Sequence, residues 1–66
     1  MTQEQLEIIE INRVETSKTT CITLNELRRQ IDGIYVNNCF CSLSSRKVFL
    51  KEFYTWVDNI ANQNNL

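Results

Sequence analysis

Cys39 and Cys41, one residue apart, and Cys21 are the side chains of this 66-residue chain best suited to nucleophilic or soft-metal chemistry, since it has no histidine. Two thiolates from one turn plus Cys21 would offer zinc three ligands, but structural zinc sites favour Cys-x2-Cys spacing and need a fourth. Only a carboxylate or a second chain would supply it. The spacing of Cys39 and Cys41 is poor for a bond to each other, which leaves Cys21–Cys39 or Cys21–Cys41 as monomeric disulfides, with one thiol over. An odd count suits a reducing compartment. The simplest reading is three small buried apolar side chains, a common role for cysteine. Neither a metal nor a cofactor is expected.

Acid–base chemistry needs a histidine or a carboxylate pair held in a cleft. Here the carboxylates fall on solvent faces, and so small a domain has little room for a pocket of a few hundred Å3, so no enzymatic activity is expected. The basic residues are more suggestive. Residues 1–15 carry four glutamates against Arg13, a net −3, whereas residues 16–51 carry six basic side chains against Glu26 and Asp32, a net +4. Glu52 and Asp58 bring the whole chain to −1. Arg28, Arg29, Arg46, Lys47 and Lys51 are thus candidates for one patch that binds an anion or an acidic partner. Arg46 and Lys47 fall in the first turns of a helix, where a surface cation opposes the dipole by roughly 0.3–1 kcal/mol, so something must offset that cost. Backbone N–H groups at Ser44 would add to an anion site. The plainer alternative is a solvated face paired with the acidic first segment.

Three helices would position these groups. Residues 4–15, rich in Glu and Gln, suit a helix by propensity. Leu6, Ile8, Ile9, Ile11 and Val14 scatter around its axis, however, and the alternation at Ile9 and Ile11 also fits a short, part-extended stretch. Residues 17–20 read as a loop. Thr23 and Glu26 have capping-box spacing, and Leu24, Leu27, Ile31, Ile34 and Tyr35 follow on one face, with Gly33 inside the helix and Asn37-Asn38 ending it. Ser42 or Ser44 caps a third helix over residues 44–60. Phe49, Phe53, Trp56 and Ile60 recur there at helical spacing, and Leu50, Tyr54 and Val57 widen the face to an arc of about 160°. Residues 62–65 form a polar, fraying tail.

The expected fold is all-α, a single three-helix domain over residues 1–66. A chain of this length buries only about 60% of its unfolded surface, so its core is small. An arc of about 160° exceeds what one neighbouring helix covers. Phe49, Phe53 and Ile60 are assigned to the core. Tyr54 and Trp56, with Ile8 and Ile11 of the first helix, are the candidates for partner contact, because large amphipathic rings are enriched at interface hot spots. The N-terminus is polar and acidic, unlike a signal peptide. Apolar runs fall far short of the roughly 20 residues a bilayer span needs. The expected location is the interior of a cell, with no membrane contact.

Asn38-Cys39-Phe40-Cys41-Ser42, followed by Arg46-Lys47 and an amphipathic helix, resembles an arrangement in small helical proteins of crAss-like and related bacteriophages. The resemblance spans roughly residues 24–57, with Cys-x-Cys where those proteins more often have Cys-x-x-Cys. Eight asparagines and seven isoleucines also fit an AT-rich coding sequence. The resemblance implies an accessory or virion protein in the host cytoplasm or the particle, and it carries over no site residue. The function expected is a non-enzymatic interaction subunit that docks on a larger protein assembly or self-associates. A nucleic-acid-binding module using the basic patch and an inhibitor of a host protein are the alternatives.

Overall fold

A computed structural model describes the backbone of residues 1–64 and the burial of side chains through Ile60. Three helices follow in order: α1 (Gln3–Ile11), α2 (Lys18–Asp32) and α3 (Leu43–Asn64), with no strand among the described residues. Residues 3–11 are therefore helical and not part-extended. Thr2 explains the start of α1: its hydroxyl accepts from Gln5 N–H at 3.1 Å, and Gln5 Oε1 accepts from Thr2 N–H at 2.9 Å. This reciprocal cap satisfies two backbone donors that the first turn would otherwise leave open. The helix stops earlier than residue 15, because Asn12 folds its amide back onto the Ile8 carbonyl at 2.8 Å.

The second helix differs from expectation at both ends. It begins at Lys18, capped by Ser17, whose hydroxyl accepts from Thr20 N–H at 3.1 Å, so residues 17–20 are not a loop and Thr23 lies inside the helix. Packing explains the extra turn. Thr20 and Cys21 are buried one turn ahead of Leu24, and that burial outweighs the weak helix propensity of two adjacent threonines. At the other end Gly33 sits at φ 78° and donates to the Arg29 carbonyl at 2.9 Å. A left-handed residue at this position is available to glycine at no steric cost, so Gly33 ends the helix instead of weakening its interior. Ile34 and Tyr35 consequently leave the helical face and are exposed.

Ser42, not Ser44, opens α3: its hydroxyl accepts from Ser45 N–H at 3.2 Å. The segment expected as a fraying tail is helical through Asn64, and Asn65 lies outside the described residues. No helix of the described residues is long and apolar enough to cross a membrane.

The core joins Ile9 of α1, Cys21, Leu24 and Leu27 of α2, and Phe49, Leu50, Phe53, Tyr54 and Val57 of α3. Phe40 joins it from the loop before α3. Its ring meets Phe49 edge-on at 4.8 Å between centroids. That loop side chain, with Ile9, fills the part of the α3 arc which α2 leaves open. Asn25, like Thr20, is a polar member of the interior. Its amide donates to the Val36 carbonyl at 2.8 Å and accepts from Val36 N–H at 3.0 Å, which straps the α2–α3 loop to α2.

Candidate functional site

The first helix holds to the rest through few groups. Ile9 is its one buried side chain. Beside it the Tyr54 hydroxyl donates to the Ile9 carbonyl at 2.7 Å. That carbonyl lies in the last turn, where the Arg13 N–H turns instead to Glu10 at 3.2 Å, so Tyr54 satisfies an acceptor the helix leaves unused. Arg13 closes the joint from outside: its guanidinium covers the Tyr54 ring at 4.6 Å, pairs with Glu10 at 2.9 Å and reaches Asp58 at 3.2 Å.

The partner-contact candidates therefore separate. Tyr54 is in the core and anchors α1, so its ring offers no outer face. Trp56 is half-buried against the core, with the Arg28 guanidinium lying over its ring at 4.8 Å. Ile8 and Ile11 are on the outside as expected: Ile11 is 73% exposed and, past the helix end, Val14 is 85% exposed. Ile8 and Ile11 stand one turn apart on the same side of α1, each one turn after a glutamate, Glu4 and Glu7. Around the helix, Leu6 lines a shallow hollow of about 190 Å3 with Met1, Val57 and Ile60, below the roughly 300 Å3 of an ordinary small-molecule pocket.

Tyr54 also sets a pH limit. Burial pushes its phenol up to about 12 from the ordinary 10.0, and burial likewise raises the Cys21 thiol above 9.0. Both groups are harder to ionise folded than unfolded. Their contributions are complete below the unfolded values and are lost as pH rises. Stability is expected to decline above pH 9.0 as Cys21 titrates and to fall further from 10.0 to about 12 with Tyr54. Tyr54→Phe should cost about 1–3 kcal/mol at neutral pH by orphaning the Ile9 carbonyl. It should also remove the second stage of the alkaline loss, which urea melts across pH 8–12 would read.

The five basic residues do not converge on one open patch. Arg29 pairs with Glu26 one turn away. Arg28 is drawn over Trp56 and toward Asp32 at 3.6 Å, and its buried Nε has no hydrogen-bond partner among the described residues. Arg46 is a strut: Nε donates to the Thr16 carbonyl and Nη1 to the Phe40 carbonyl, both at 2.9 Å. These bonds offset the cost of a cation in the first turn of α3 and tie both interhelical loops together. Of the five, Lys47 and Lys51 alone are exposed and form no ion pair among the described residues.

No family model, curated protein or solved structure matches the chain.

The cysteines are free, and only Cys21 is buried. Cys39 and Cys41 are exposed, against the expectation of three buried thiols, because the residue between them takes the interior place. Phe40 adopts φ 56°, a left-handed conformation costing a bulky residue roughly 1–2 kcal/mol. Its ring is buried, its N–H is held by Asn38 Oδ1 at 2.9 Å and its carbonyl by Arg46. Turning Phe40 inward leaves both neighbouring thiols outside. Hydrogen bonding by Cys41 holds the Cys39 thiol below its ordinary range, and the same interaction pushes the Cys41 thiol up. The Cys41 Sγ also lies 3.7 Å from the Cys39 carbonyl. Asn38, two residues before Phe40, is the sequence signal for this turn, since asparagine commonly bonds the backbone two positions on.

Proposed function

We propose that the chain is a non-enzymatic helical interaction subunit that docks on a larger protein assembly through the outer side of α1. The observation that carries this reading is the exposure of Ile8 and Ile11, with Val14 beyond them, on a helix that buries one side chain of its own. Burying an isoleucine fully is worth roughly 1.5–3 kcal/mol, so the pair can supply a useful share of a binding energy while contributing little to the isolated fold. The surrounding glutamates favour a partner with basic groups around an apolar centre. The likeness to small proteins of crAss-like phages supports a virion, or a host protein met during infection, as the place to look for it.

The test is a tagged chain carrying Ile8→Gln and Ile11→Gln, compared with the unaltered chain in capture from infected cells and from assembled particles. Glutamine keeps helix propensity, so far-UV circular dichroism should not change. A phage or host protein recovered in stoichiometric amount by the unaltered chain should fall at least about tenfold with the double substitution. Equal recovery by both, or an unaltered chain that stays monomeric and captures nothing, sinks the reading.

A further inference from the structure

We infer that the outer side of α1 docks on a second copy of this chain, in a groove along the outer side of α3. The inference rests on the docking reading above and names its occupant. Within one copy, Ile9 and Tyr54 hold α1 with Ile8 and Ile11 turned outward, so those two isoleucines do not reach the chain's own groove. Between copies they can.

On α3, two shallow hollows of about 400 and 300 Å3 share Val48 and Glu52 and so run together as one groove. Val48, 59% exposed, joins them, with Val36 and Phe49 alongside. Lys51 lines the groove, and Lys47 stands one turn before it. Neither lysine is in an ion pair among the described residues. At about 100° per residue, Glu52 lies across Val48 from both, so the lysine rim stays basic.

The α1 face is complementary in both charge and spacing. Ile8 and Ile11 follow Glu4 and Glu7 by one turn, and all four fall within an arc of about 100° turned away from the buried Ile9. Glu10 is committed to Arg13, whereas Glu4 and Glu7 are in no ion pair among the described residues. Glutamates at i,i+3 and lysines at i,i+4 each stand roughly 5–6 Å apart between Cβ atoms, so both cross-copy pairs can form together while the isoleucines cover Val48. One chain thus carries both halves of the contact. Because the halves differ, copies close into a ring where the rotation permits and otherwise extend.

The experiment is sedimentation equilibrium of the full chain at low salt, with a reductant present so that Cys39 and Cys41 do not crosslink copies. An average mass above that of one chain is expected, rising with concentration and falling as salt screens the charges. Ile8→Gln with Ile11→Gln, and Lys47→Glu with Lys51→Glu, should each weaken self-association by at least about tenfold. The deciding arm mixes the second of these with a chain carrying Glu4→Lys and Glu7→Lys. Each alone sets like charges across the contact and should be monomeric, whereas the mixture restores opposite charges and should associate. Circular dichroism of each variant shows that it is folded. An unaltered chain that is monomeric at every concentration, or folded variants whose mixture stays monomeric, overturns the second copy as occupant. The docking reading then stands or falls separately, on whether Ile8 and Ile11 capture a phage or host protein.

Discussion

Phe53→Ala is expected to leave the chain largely unfolded at room temperature. Phe53 is 0% exposed and its ring meets those of Phe49, Tyr54 and Trp56 at centroid distances of 5.8, 5.2 and 5.4 Å. Removing a buried phenylalanine costs about 3–5 kcal/mol, from lost transfer energy plus the cavity left behind. A single core in a chain below about 70 residues rarely supplies more than 3–5 kcal/mol in total. The two figures are of the same size, so one truncation consumes the margin. Far-UV circular dichroism and urea melts read the outcome directly. Val48→Ala, in the same helix but on its exposed side, should move the urea midpoint little, a change within about 0.5 kcal/mol. A native-like melt for Phe53→Ala would mean that the aromatic cluster is not the centre of the fold.

Asn25→Asp is expected to be nearly as damaging at neutral pH and much less so in acid. The two side chains have almost the same shape, but the carboxylate loses the donor that meets the Val36 carbonyl and places a charge at a site 2% exposed. An unpaired buried polar group costs about 1–3 kcal/mol and a charged one more, so a loss of about 3 kcal/mol is expected near pH 7. Burial and the facing carbonyl raise the folded-state pKa of the introduced acid above its unfolded value of about 3.9. The protonated acid restores a donor. Its stabilising contribution is therefore complete below the unfolded pKa and lost as pH rises through the folded one. Urea midpoints at pH 4 and pH 7 should show the substituted chain closing much of its gap to the unaltered one in acid, and a pH-independent gap would show that the Asn25–Val36 bridge is not what the substitution breaks.

These two residues mark how far the sequence could be read. Phe53 was legible: it recurs with Phe49, Trp56 and Ile60 at helical spacing, and the same periodicity located α3 and the all-α class. Asn25 was not. A polar residue inside a helical pattern reads as solvent-facing, and its value depends on a backbone segment eleven positions later. Tyr54 and Trp56 were similarly opaque, because their angular positions alone leave open which neighbour covers them. The Ile9 carbonyl claims Tyr54, and Arg28 covers Trp56. Both ends of α2 were displaced for related reasons: Ser17 and Gly33 are ordinary capping residues, but packing of Cys21 made the earlier start the better one.

The site residues divide in the same way. Ile8 and Ile11 face outward by pattern and structure alike, since α1 has more apolar directions than one contact can absorb. The basic residues looked like a patch because sequence counts charges without showing their partners, and in three dimensions Arg28, Arg29 and Arg46 are engaged within the fold.

By itself the sequence determined that this chain is helical and where its longest helix begins, because periodic burial and local capping are written in neighbouring residues. Only the tertiary structure decided that Phe40 enters the core and that Cys39 and Cys41 face outward as a pair. That outcome requires a left-handed residue held at once by a ring contact to α3, by Asn38 and by Arg46, and two of those three restraints come from residues outside the loop.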